Sequence, residues 1–127
     1  MSYQYGVLAR NAKLNALNTE LGATATLKVF SGTEAANCGS ADPSGVLATI
    51  TLPASPFAAA SAGVMSMTGT WSVAASGSGT AASWRIYDSS AVCQVQGNVT
   101  DMTFNNTNIA SGQTVTVTSF AVTAGNA

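Results

Sequence analysis

Histidine is missing from this chain and charge is scarce: four Lys or Arg and five Asp or Glu make up 7% of 127 residues, against about 25% in ordinary soluble proteins. Without imidazole, the usual base for a serine or cysteine nucleophile and the commonest transition-metal ligand are both gone. The carboxylates Glu20, Glu34, Asp42, Asp88 and Asp101 are scattered along the chain, so the sequence writes in no paired acid and base. Two cysteines without histidine cannot complete a four-coordinate zinc site. The expectation is a protein that is not an enzyme and needs no cofactor or metal.

Cations are equally sparse. Arg10, Lys13, Lys28 and Arg85 form no stripe that could neutralise a run of phosphates, so nucleic acid is not an expected partner. No apolar run approaches the roughly 20 residues that cross a bilayer, and no cationic amphipathic helix is present to lie on one, so no membrane role is expected. Met1 to Gly6 is polar and aromatic, and Arg10 and Lys13 interrupt the stretch after it; this is not the pattern of a secretory signal, and synthesis in a cytoplasm is the expectation. Gly77-Ser78-Gly79 lies between two predicted strands and reads as a turn, not as a phosphate-binding loop. The triplets Asn98-Val99-Thr100 and Asn105-Asn106-Thr107 match the glycosylation pattern, which arises by chance in Asn/Thr-rich chains.

What remains is a chain of Ala, Ser, Thr, Gly and Val, long enough for one core. We read residues 1–6 as an N-terminal arm and 7–127 as a single domain. Val7, Leu14, Leu17 and Leu21 share a helical stripe while Asn11, Asn15 and Asn18 face away, which predicts one helix over 7–21 stopped by Gly22. Arg10 falls within the stripe, its stem laid along the apolar surface and its charge outside.

From Ala25 the period changes to two. Strands are predicted near 25–30, 45–52, 64–74, 82–87, 91–97 and 113–123, with a short one at 102–104. Pro53 ends the second of these, Gly69 marks a bend or a bulge in the third, Asp88 to Ser90 turn the fourth into the fifth, and a shift of apolar phase after Val117 marks a bulge in the last. A long loop spans 31–44, and the Ala-rich stretch 54–63 fits either a short helix or a close-packed connection. Such punctuation describes an all-β fold, an antiparallel β-sandwich of jelly-roll or immunoglobulin-like type with one short N-terminal helix.

Cys38 and Cys93 admit two readings. Cys93 shares a face with Val95 and so reads as a small buried hydrophobe; alternatively the pair forms a disulfide tying loop 31–44 onto strand 91–97, which a cytoplasm opposes and oxidising surroundings favour. Trp71 and Trp84 fall on the apolar faces of their strands and are expected in the core, leaving Tyr87 as the best exposed aromatic.

The order of segments resembles a family of small tailed-phage virion proteins. The resemblance runs from the helix ending near Leu21 through Leu27-Lys28-Val29-Phe30-Ser31-Gly32, Gly45-Val46-Leu47-Ala48-Thr49 and Trp84-Arg85-Ile86-Tyr87-Asp88-Ser89 to Gln96-Gly97 and the 112–122 strand. It implies a capsid decoration or cement protein in the virion, assembled in the host cytoplasm, which clamps the phage major capsid protein from outside. It carries over no catalytic residue. Low charge and uncovered strand edges fit association, so a homo-oligomer, dimer or trimer, is expected, with Tyr3, Tyr5, Lys28 and Tyr87 as candidate interface residues. The competing expectation is a tail or fibre component, including a receptor- or glycan-binding module, because the same architecture serves adhesion.

Overall fold

The computed structural model describes residues 5–123. Helix α1 (Val7–Leu21) has the predicted bounds, yet its apolar stripe is only half used. Leu14 and Leu21 are buried and Leu17 partly so, while Val7 is 44% exposed. Gly22 ends the helix at φ 77°, where a Cβ would be strained and would strike Oγ of Ser89.

The asparagines seat the helix. Asn11 Oδ1 accepts from the Gly63 amide at 2.8 Å, Asn15 Oδ1 accepts from the Ala60 amide at 2.9 Å, and Asn18 Nδ2 donates to the Phe57 carbonyl at 3.1 Å. The connector 54–63 is therefore not a helix. Pro53 and Pro56 offer no amide, and apart from isolated bridges at Phe57–Met67 and Ser61–Val64 its backbone leans on these side chains and on the Thr68 hydroxyl, which donates to the Ser55 carbonyl.

Eleven strands come after it among the described residues: β1 (Thr26–Phe30), β2 (Val46–Thr51), β3 (Val64–Ser66), β4 (Trp71–Ala74), β5 (Gly79–Thr80), β6 (Ser83–Tyr87), β7 (Cys93–Asn98), β8 (Thr103–Phe104), β9 (Asn108–Ile109), β10 (Thr114–Ser119) and β11 (Ala121–Thr123). They form a four-stranded sheet in the order β2-β1-β6-β7, a three-stranded sheet β4-β10-β8, and the pairs β11-β3 and β5-β9. All of these pairings are antiparallel, and the described residues make an all-β fold with one α-helix and a single 3-10 turn at Val99–Asp101. The β5-β9 pair was not expected, since its first strand lies in the stretch read as a turn.

The two longest predicted strands, 64–74 and 113–123, each break in the middle and do so together. β4 pairs with β10 and β3 with β11, and at the break the Met67 amide donates to the Phe120 carbonyl at 3.1 Å. Gly69, at φ 70°, supplies the bend on one side. On the other, Phe120 turns inward, its ring centroid 5.0 Å from that of Trp84, 5.9 Å from Phe57 and 6.1 Å from Trp71. The apolar phase shift after Val117 is thus a change of sheet that places an aromatic at the meeting point of the core, where edge-to-face contacts add to the area buried.

Two bulges re-aim side chains in the four-stranded sheet. Val29 pairs with Ala48 but Phe30 with Val46, so Leu47 is the extra residue. Leu47 and Ala48 are consequently both buried, and Val46, which strict alternation would set on the same face as Ala48, is 41% exposed. Across β6, Ile86 pairs with Val95 but Tyr87 with Cys93, leaving Gln94 as the extra residue. A strand without that extra residue would point Cys93 to the same face as Val95.

Candidate functional site

All five residues of β6 are buried, although a strand covered on one face only would alternate. Trp84 and Ile86 enter the core together with Leu27 and Val29 of β1. The opposite face, carrying Ser83, Arg85 and Tyr87, is roofed by loop 31–44, which we call the strap. Its neck is closed by the Ser31 amide donating to the Gly45 carbonyl and the Gly32 amide to the Ser44 carbonyl, both at 2.9 Å. Within it, Asn37 Oδ1 accepts from the Gly39 amide at 2.8 Å and forms a local turn.

Arg85 is the post around which the strap is wound. It is 2% exposed, and an unpaired charge at such a place would be strongly destabilising. Its Nη1 donates to the Ser40 carbonyl at 3.0 Å and to Asp42 Oδ1 at 2.8 Å, its Nη2 donates to the Asn37 carbonyl at 2.9 Å, and its Nε donates to Gln96 Oε1 at 3.2 Å. Gln96, facing Arg85 across the β6–β7 ladder, passes its amide on to the Ala35 carbonyl at 2.7 Å. Ser83 donates to the Gly32 carbonyl at 2.7 Å and the Tyr87 hydroxyl to Asp42 Oδ1 at 2.5 Å. The planar fork of guanidinium can serve several acceptors in one plane, which a lysine ammonium cannot.

Asp42 is the electrostatic counterpart, its side chain 40% exposed. Partial burial pushes its carboxyl up, but the Tyr87 hydroxyl, the Arg85 guanidinium and the more distant Lys28 outweigh this and hold it below the ordinary carboxylate range. Burial, followed by the donated bond to Asp42, pushes the Tyr87 phenol well above its usual value. At the β6–β7 turn, the Asp88 carboxylate accepts from the Ser90 and Val92 amides and from Gln94 Nε2. Those bonds, the Val92 amide first and then Gln94, lower its pKa.

The structure places the candidate residues unevenly. Tyr87 is not an exposed aromatic: it is 6% exposed, because it lies on the strap side of β6 with its hydroxyl held by Asp42. Lys28 is half-buried, its Nζ 5.2 Å from the centre of the Tyr87 ring, and Lys13 Nζ lies 3.9 Å over the Tyr5 ring. Tyr3 lies outside the described residues. Cys38 and Cys93 do come together, their sulfurs 2.7 Å apart. The bulge at Gln94 turns Cys93 away from the Val95 face and under the strap, so it is not a core residue. Burial, then the neighbouring Cys38 thiol, pushes the Cys93 thiol up to about 12.

Trp71 and Trp84 are buried as expected. Asp42, Gln96 and the strap carbonyls were not singled out from sequence, although an arginine flanked by Trp84 and Ile86 in a strand with an uninterrupted apolar face was the available signal.

Elsewhere an open cavity of about 280 Å³ is lined by Trp84, Val95, Gln96, Asp101, Phe120 and Val122, among others. Among the described residues, no cluster of three or more His, Cys, Asp or Glu could hold a metal ion, and no helix is long and apolar enough to cross a membrane. No protein-family model, no curated protein and no solved structure matches this chain.

Proposed function

We propose that this chain is a structural virion protein of a tailed phage, a non-enzymatic decoration or cement subunit that binds the outer surface of the major capsid lattice and stabilises it. The observation that carries the reading is where the scarce charge goes. Arg85, one of only four Lys or Arg, is spent inside the strap, while Leu8 at 80% exposure, Val46 and Val92 stand on the surface. A weakly charged exterior rich in Thr, Ser and Ala, with β2 and β7 ending the four-stranded ladder, is suited to association, and many repeated contacts on a lattice add up even when each is weak. We further infer that the four-stranded and three-stranded sheets form the two layers of a β-sandwich of jelly-roll or immunoglobulin-like type, because Trp84 of one and Trp71 of the other both approach Phe120.

The test is to add the purified protein to expanded capsids assembled without it and to image them by electron microscopy. Ordered density repeating over the shell supports the reading; density confined to the tail, or bare shells, overturns it.

A further inference from the structure

We propose that Cys38 and Cys93 form a redox latch: thiol–disulfide exchange with a small disulfide such as oxidised glutathione joins the two sulfurs and locks the strap to β7, and reduction removes the lock and leaves the strap to its hydrogen bonds. Three observations carry this. The sulfurs stand 2.7 Å apart although 55 positions separate them in sequence, so about 0.7 Å of closure reaches a bond of about 2.0 Å. The Gln94 bulge is what aims Cys93 at the strap, and the Arg85, Gln96 and Tyr87 bonds hold the strap in place without any cross-link. Closure is therefore a reaction between two groups already in position. Both thiols are half-buried, and the chain has no third cysteine to compete.

The exchange balances in two steps. A Cys38 thiolate attacks one sulfur of oxidised glutathione, forming a mixed disulfide and expelling one glutathione thiolate. Cys93 then gives up its proton to solvent and attacks the Cys38 sulfur, forming the Cys38–Cys93 bond and expelling the second glutathione. Two protein thiols are oxidised, one glutathione disulfide is reduced to two thiols, and the two protein protons end on glutathione. The latch does not depend on the docking role and is tested without capsids.

The reduced full-length chain is incubated with oxidised glutathione, quenched with iodoacetamide, weighed intact and digested with trypsin. Cleavage after Lys28 and Arg85 puts Cys38 on peptide 29–85 and Cys93 on peptide 86–127. The expected result is a monomer with no alkylated cysteine whose two peptides stay joined until reduced. Native proteolysis within the strap should slow by about tenfold or more on oxidation and recover with reductant. Cys93→Ser should stop at one glutathione on Cys38, with strap cleavage unchanged. Two alkylated thiols, a glutathione on each cysteine, a bridge between two chains, or a bridge that leaves strap cleavage unaltered would each overturn the latch.

Discussion

Consecutive residues of β6 point into two different kinds of interior. Trp84 and Ile86 enter an apolar core where stability comes from area removed from water and from close contact, while Arg85 and Tyr87 enter a polar interior where every group must find a directional partner. The first tolerates any side chain of suitable shape; the second tolerates almost none, because a missing partner leaves buried carbonyls and amides unpaired. The apolar side makes the sheet stable, and the polar side decides where a fourteen-residue loop will lie.

Substitutions on the two sides should separate these contributions. Trp84→Ala removes a ring at the meeting point of the core and should cost about 3–5 kcal/mol in urea unfolding, with the whole domain melting in one step. Arg85→Ala should cost somewhat less, about 3 kcal/mol, and its mark should be local: native proteolysis should open the strap before the core, and Arg85→Lys should not restore it, because one ammonium cannot serve Asn37, Ser40, Asp42 and Gln96 together. If Arg85→Ala instead melts without selective strap cleavage, the two interiors are one.

Acid should act on the polar side first. The Asp42 pKa is lowered in the fold, so its contribution is complete above the unfolded carboxylate value of about 3.9 and is lost as pH falls through the lowered folded value. Wild-type stability should therefore fall more steeply below about pH 4 than that of Asp42→Asn, and parallel curves would remove Asp42 from the account. The smallest effect should come from a change that touches neither interior. Ala91, in the β6–β7 turn, sits at φ 63°, and Ala91→Gly should raise the melting temperature through a gain of about 0.5–1 kcal/mol.

Periodicity was enough to place the helix to the residue, to pair 82–87 with 91–97, and to bury Trp71 and Trp84, because each depends on local pattern. It misjudged the faces wherever an extra residue enters a strand. One bulge exposes Val46 and buries Leu47; another moves Cys93 from the Val95 face to the strap. The full burial of Tyr87 was hidden for a different reason: a strap distant in sequence covers a face that alternation marks as solvent. The network around Arg85 was legible only as an anomaly, a charge set in a strand, since two of its four acceptors are backbone carbonyls, which no residue type announces.

The three amides that seat α1 act as a vernier. Buried leucines alone would accept neighbouring settings of a helix, but sliding it by one residue advances it about 1.5 Å and turns it about 100°, which would break the Asn11, Asn15 and Asn18 bonds at once. The helix therefore has a single berth, and whatever its outward face meets is presented at one fixed angle.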